Sequence, residues 1–112
     1  MELIETSAFT KQITALLSDE EYADFQSRLA ANPGLGVLIK NGGGIRKIRV
    51  AVGSRGKRGG ARVIYYWAPR QDLILLLLAY SKNATADLTQ SQIRRLAKVA
   101  KEEFDNGKRD IQ

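Results

Sequence analysis

The sequence predicts an α+β domain with an N-terminal helical hairpin, an antiparallel β-sheet of three to four main strands and a C-terminal helix. Two capping boxes, Ser18 with Glu21 and Thr89 with Gln92, each indicate the start of a helix. Between them, two segments alternate in polarity with the period of a β-strand. The 112 residues suffice for one core, so we expect a single domain over residues 1–112.

The N-terminal third of the chain predicts a short edge strand followed by two helices. The strand is expected over Met1 to Ile4. Phe9 and Ile13 lie at helical spacing and predict a first amphipathic helix. The second helix begins at Ser18 and is expected to end at Asn32-Pro33-Gly34, because proline cannot continue a helix.

Two strands with alternating polarity are expected in the middle of the chain. The first covers Ile45 to Val52, with Lys47 and Arg49 on one face and apolar residues on the other. The second covers Ala61 to Trp67 and carries Arg62, Ile64 and Tyr66 on one face. If the two strands form a hairpin, Arg62 can share a face with Lys47 and Arg49.

The remaining chain predicts one buried strand and one long helix. After a turn over residues 68–72, Leu73 to Tyr80 is apolar almost throughout, as expected for a central strand that is covered on both faces. The last helix is expected to begin at Thr89, to present an apolar stripe that includes Ile93, and to close at Asn106-Gly107.

Positive charge is concentrated in the predicted sheet. No acidic residue lies between Asp24 and Asp72, whereas ten of the eighteen Lys and Arg residues do. The net charge is +6 and the pI is about 9.8, which favour an anionic partner such as nucleic acid. No signal peptide is visible, and the apolar run from Leu73 to Ala79 is too short to cross a bilayer. We therefore expect a cytoplasmic protein without membrane contact.

Several kinds of chemistry are excluded by composition. The chain has no cysteine and no histidine, so it lacks thiolates, the commonest general base and the commonest metal ligand. No Asp or Glu lies in the two alternating strands, so we expect neither a metal ion nor any other cofactor there.

The candidate catalytic residues are cations on neighbouring strands, Lys47, Arg49 and Arg62, together with Lys82 after the third strand. Cleavage of RNA by its own 2′-hydroxyl group requires a base, stabilisation of the phosphorane and an acid for the 5′-oxygen. Neighbouring positive charges disfavour the charged form of a lysine, so Lys47 is the hypothetical base. Arg49 and Arg62 would stabilise the phosphorane. Lys82 or a tyrosine would be the acid.

Additional contacts to RNA are expected from the cationic strand and loop and from two tyrosines: Arg46, Arg55, Lys57, Arg58, Tyr66 and Tyr80. A simpler interpretation remains open, because outward-facing cations on a strand are most often a solvated face. Tyr66 and its neighbours in the second strand are likewise common as core and sheet-packing residues.

A resemblance to a known family rests on the strings GGIRKIRVAVGSRGKRGGARVIYYW and LILLLLAYSKNATADLT. They resemble the RelE/HigB superfamily of bacterial type II toxins, and the HigB branch in particular, and the similarity extends from Ser18 through the last helix. The resemblance implies a RelE-like fold and an mRNA interferase that cuts message in the ribosomal A site. It also implies a cognate antitoxin, often a small helix-turn-helix protein.

The resemblance implies that a lysine pair or a Lys/Arg pair on one strand and an arginine on the next act at the scissile phosphate. Lys47, Arg49 and Arg62 match these positions. Some relatives add an arginine and a tyrosine near the end of the chain, and Lys82-Asn83-Ala84 and Asp87-Leu88 do not clearly retain them. Two other functions stay open. The superfamily includes ParE-like toxins that inhibit DNA gyrase without cutting RNA, and the basic strands also suit a plain nucleic-acid-binding module.

Overall fold

A computed structural model describes residues 1–52, 60–82 and 87–111 of the chain, with side chains as far as residue 103. Its elements confirm the predicted α+β class, with N-terminal helices, a sheet and a C-terminal helix. None of the helices in these ranges is long and apolar enough to cross a membrane.

Within the described residues, three α-helices form at the predicted places: α1 (Ser7–Leu16), α2 (Asp19–Ala31) and α3 (Gln90–Ile111). The capping box at α2 is confirmed, because Ser18 Oγ accepts from the Glu21 N–H at 3.1 Å and a Glu21 carboxylate oxygen accepts from the Ser18 N–H at 2.8 Å. Thr89 and Gln92 exchange the equivalent bonds at α3. The predicted end at Asn106-Gly107 is wrong, since a glycine inside a helix costs only about 1 kcal/mol and α3 continues.

In the part of the chain that the structure describes, five strands form one sheet: β1 (Glu2–Glu5), β2 (Val37–Leu38), β3 (Ile45–Val50), β4 (Ala61–Ala68) and β5 (Leu73–Ser81). Their order is β1-β5-β4-β3-β2. The expected edge strand is present as β1, but it runs parallel to β5, so the sheet is mixed and not purely antiparallel. β2 is an additional strand that has only two residues, too few for an alternation of polarity to reveal it.

The pairing of β3 with β4 confirms the predicted faces of both strands. The two strands are antiparallel, and Arg49 lies directly opposite Arg62 while Lys47 lies opposite Ile64. On the other side of β4, Arg62 lies opposite Tyr80 of β5. A register shift between Ile64 and Tyr65 interrupts the β4–β5 pairing.

Helices cover the sheet on both faces, which confirms that β5 is buried on both sides. On one face, α1 and α2 pack through Phe9, Phe25 and Leu29 against strand residues such as Val63 and Leu76. On the other face, α3 packs through Ile93 and Ala100 against strand residues that include Ile45, Ile64 and Leu75. Lys47, Arg49 and Arg62 belong to the face that α3 covers, at the end where β3 and β5 finish.

A buried tyrosine fixes the segment that leads into β2. The Tyr65 hydroxyl group donates to the carbonyl oxygen of Pro33 at 2.7 Å and accepts from the Gly36 N–H at 2.8 Å. Burial raises the pKa of Tyr65, although the Gly36 N–H and Arg46 oppose this shift. The phenol therefore stays neutral and links the turn after α2 to the centre of the sheet.

Two glycines in this turn provide a matched test of how tightly it packs. A Cβ at Gly36 would lie 2.8 Å from the Tyr65 ring and 3.0 Å from the carbonyl oxygen of Lys47, whereas a Cβ at Gly34 meets nothing closer than 3.8 Å. We expect Gly36→Ala to lower the free energy of unfolding by about 1–3 kcal/mol through overpacking. Gly34→Ala should change it by less than about 1 kcal/mol. Urea denaturation measures both, and equal effects would contradict this packing.

Candidate active site

The sheet brings three predicted cations together on one face. Arg49 and Arg62 are direct cross-strand neighbours, and Lys47 precedes Arg49 by two residues on the same face of β3. Directly opposed residues have Cβ atoms about 4.5–5.5 Å apart. We call Lys47, Arg49 and Arg62 the cationic cluster.

The cationic cluster is reachable from solvent. The Lys47 side chain is 35% exposed, Arg49 is exposed and Arg62 is half-buried. Like charges directly opposite one another destabilise a sheet. The pairing is held by the reverse face of the same strands, where Val50 and Val63 are buried. An anion bound at this face would relieve the repulsion, and the arginine fork of donors suits phosphate oxygens.

Tyr80 adds a phenol beside the cationic cluster. It lies opposite Arg62 in the β4–β5 pairing and is half-buried. Burial raises the pKa of Tyr80, Asp87 raises it further, and Arg62 opposes these effects. The hydroxyl group therefore keeps its proton at neutral pH and can donate a hydrogen bond.

Lys82 lies at the same end of the sheet. It directly follows β5, and its backbone N–H donates to the carbonyl oxygen of Gly60 at 3.2 Å. Its side chain is exposed. Because Gly60 directly precedes β4, this bond places Lys82 near the beginning of β4, close to Arg62.

Asp87 is a site residue that the sequence did not predict. Its Oδ1 lies 3.3 Å from Lys47 Nζ and accepts a hydrogen bond from the Leu88 N–H at 3.0 Å. The pKa of Asp87 is lowered, first by this N–H, then by Lys47, and also by Arg62. Asp87 lies two residues before Thr89, and no local pattern marks its pairing with Lys47, which depends on the packing of α3 against the sheet.

The Lys47–Asp87 pair bears directly on the hypothesis that Lys47 is a base. Neighbouring cations favour a neutral lysine, but an adjacent carboxylate favours the charged form. Asp87 is 71% exposed, and exposed pairs contribute only about 0–1 kcal/mol. A bound phosphate can therefore displace Asp87 at small cost.

Arg46 does not join the cationic cluster. It lies on the opposite face of β3, where its guanidinium donates to the Gly36 carbonyl oxygen at 2.8 Å and lies 5.9 Å from the centroid of the Trp67 ring. These contacts give Arg46 a structural position beside β2. RNA contact by Arg46 stays a prediction, and this placement puts it on the face opposite to the cationic cluster.

The other predicted RNA contacts have different locations. Tyr66 lies on the face of the cationic cluster, but four residues from Arg62 along β4 and toward the opposite end of the sheet. Arg55, Lys57 and Arg58 lie outside the described residues. Within the described ranges, no group of three or more His, Cys, Asp or Glu residues could hold a metal ion.

A comparison with protein-family models supplies an independent finding. Residues 34–112 match the model described as the RelE toxin of the RelE/RelB toxin–antitoxin system. The matched range contains β2 to β5 and α3, and therefore every member of the cationic cluster as well as Tyr80, Lys82 and Asp87.

The ion pair at the cluster has a direct test in the titration of Asp87. In Lys47→Met, we expect the pKa of Asp87 to rise, because the ammonium group that favours its charged form is gone. It should stay below its ordinary value, since the Leu88 N–H remains. Carboxyl ¹³C chemical shifts against pH measure this pKa. Lys11→Met, a change on exposed α1, is the control, and an unchanged Asp87 pKa in Lys47→Met would contradict the pair.

Proposed function

Because the chain belongs to the RelE toxin family, we propose that it inhibits translation as a ribosome-dependent mRNA endonuclease of the HigB-like type. The toxin role and a cognate antitoxin partner follow from the family. Beyond the family role, we propose the cleavage reaction itself, its location in the ribosomal A site and a cytoplasmic location of the protein. The observation that carries it is the cross-strand pairing of Arg49 with Arg62 beside Lys47.

The proposed reaction is an internal transesterification. The RNA 2′-oxygen loses its proton and attacks the adjacent phosphorus, the bond from phosphorus to the 5′-oxygen breaks, and that oxygen takes up a proton. The products are a 2′,3′-cyclic phosphate and a 5′-hydroxyl group. Arg49 and Arg62 approach from adjacent strands, so their guanidinium groups can donate to the non-bridging oxygens as charge builds on them.

We assign the proton acceptor to Lys47 and give Asp87 the role of a counterion. The lowered pKa of Asp87 makes its carboxylate a weak base, because a good general base has a pKa near the working pH. When RNA displaces Asp87, the Lys47 amine can contact the 2′-hydroxyl group, while Arg49 and Arg62 on the same face can bind the phosphate oxygens.

The proton for the leaving 5′-oxygen has two candidate donors at the same end of the sheet, Tyr80 and Lys82. Tyr80 is the one that faces Arg62 and keeps its phenolic proton. A small cleft, of about 260 Å³, is lined by Lys47 and Asp87 and by the apolar side chains of Val37 and Leu38 in β2. It offers apolar surface to a nucleotide whose phosphate lies at the cluster.

The antitoxin has to neutralise the same surface or keep it away from the ribosome. Charge complementarity favours an antitoxin segment rich in Asp and Glu over the cationic cluster. A small helix-turn-helix protein encoded next to the toxin is the partner that we propose. Co-purification of that protein, with loss of the interaction at high salt, is the corresponding observation.

Primer extension on translated mRNA after induction tests the proposed reaction against its alternatives. Cuts that depend on translation of the message support the endonuclease. DNA breaks that require gyrase would support a ParE-like inhibitor, and RNA binding without cuts would support a plain binding module. The cationic cluster favours the endonuclease, because gyrase inhibition requires no cations arranged around a phosphate.

Removal of single cluster residues should slow cleavage strongly without unfolding the chain. We expect Lys47→Ala to lower the cleavage rate about 10²–10⁴-fold and Arg62→Ala about 10²–10³-fold. Arg28→Ala on α2 is the matched control, because Arg28 is an exposed cation paired with Asp24 on the opposite layer. Rates come from single-turnover cleavage of ribosome-bound mRNA. A wild-type cleavage rate for Lys47→Ala would show that Lys47 is not the proton acceptor.

Loss of the counterion should strengthen RNA binding. We expect Asp87→Asn to bind an uncleavable 2′-O-methyl RNA up to about fivefold more tightly, since a surface pair contributes about 0–1 kcal/mol. Asp24→Asn is the control, because Asp24 is also 71% exposed and paired, but with Arg28 on the helical layer. Fluorescence anisotropy measures both affinities. Weaker binding by Asp87→Asn would contradict the counterion role.

A further inference from the structure

A second cationic surface lies on the same side of the sheet as the cationic cluster, at the other end. It is an open cleft of about 990 Å³ between α3 and the turn that joins β4 to β5. Among the side chains described, which end at residue 103 in α3, every charged residue that lines it is positive, and these residues are Arg70, Arg94, Lys98 and Lys101. We call this surface the α3 cleft.

The cations of the α3 cleft are available to a ligand. All four are exposed, and among the side chains described (1–52, 60–82 and 87–103) none of them forms an ion pair with a carboxylate. Arg94, Lys98 and Lys101 follow one another at helical spacing of four and three residues. They therefore form a row along α3 about 10 Å long.

The geometry points to an extended polyanion as the occupant, and we propose that the α3 cleft binds the sugar-phosphate backbone of the RNA strand whose scissile phosphate lies at the cationic cluster. This inference rests on the proposed function, because it takes RNA as the ligand. The four cations come from a helix and a turn and are spread along an open cleft, which suits a row of phosphates better than one compact anion.

Two features favour RNA over an acidic protein segment. The ring of Tyr66 is half-buried in the wall of the α3 cleft and offers an aromatic surface to a base. Tyr66 is also on the same face of β4 as Arg62, four residues away, which is about 13 Å along the strand. A single strand of a few nucleotides can therefore contact both surfaces.

The test compares two double variants that remove the same charge. Arg94→Gln/Lys98→Gln alters the α3 cleft, and Lys11→Gln/Arg28→Gln alters exposed cations on α1 and α2. Glutamine is a good helix former, so both variants should keep the fold. The ligand is an uncleavable 2′-O-methyl RNA of about ten nucleotides, a length within the site sizes of single-strand binders.

We expect the salt dependence of binding to change in the cleft variant only. Each lost phosphate contact on a single strand lowers the slope of log K against log salt by about 0.7, so the cleft variant should lose about 1.4. The control should keep the slope of the wild type. With a 2′-O-methyl dinucleotide, whose single phosphate lies at the cluster and cannot also reach the cleft, both variants should bind like the wild type.

Equal slopes for the two double variants would overturn the proposal. So would a cleft variant that loses affinity for polyglutamate but not for RNA, because that result assigns the α3 cleft to an acidic protein. The assay requires no cleavage, so its outcome is separate from that of the proposed reaction. If the cleft variant loses the expected slope but the wild-type protein does not cleave translated mRNA, the endonuclease proposal is rejected and the proposal of an RNA-binding cleft is retained.

Discussion

The antiparallel pairing of β3 with β4 determines where the cations of the candidate site lie. A shift by one residue would send Arg62 to the face of α1 and α2 and separate it from Arg49. The reverse face prevents this shift, because Val50, Val63 and Tyr65 are buried there and cannot exchange places with charged neighbours. Apolar packing on one face therefore holds together, on the other face, charges that repel each other.

The position of α3 divides the cationic face into two parts. Ile93 and Ala100 cover the apolar middle of the sheet, so the cationic cluster is left at one end and the α3 cleft at the other. The segment that leads into α3 also places Asp87 against Lys47. One helix thus seals the core, supplies the row of cations in the cleft and holds the counterion of the cluster.

Local sequence signals predicted much of this arrangement. The capping boxes at Ser18 and Thr89 place α2 and α3 correctly, because they depend on residues three positions apart. The alternation in β3 and β4 assigns each side chain to its face, which is why Lys47, Arg49 and Arg62 are found together. The same alternation already places Arg46 on the opposite face. Arg46 is among the predicted RNA contacts only because it lies in a segment dense in positive charge.

Other features depend on contacts between distant residues and leave no local pattern. The parallel pairing of β1 with β5 joins the two ends of a long stretch of chain. The Lys47–Asp87 pair links positions forty residues apart, and only the packing of α3 brings them together. Asp87 matters most here, because it changes the charge that an incoming phosphate meets.

The most direct test of an RNA-binding face made by β3 and β4 is an NMR titration of the protein with uncleavable 2′-O-methyl RNA. If RNA binds the cationic cluster, the largest amide shift changes fall on Lys47, Arg49, Arg62 and Tyr80, and the amides of α1 and α2 stay in place. Changes that concentrate on α1 and α2, with the cluster amides unmoved, would contradict an active site on this face.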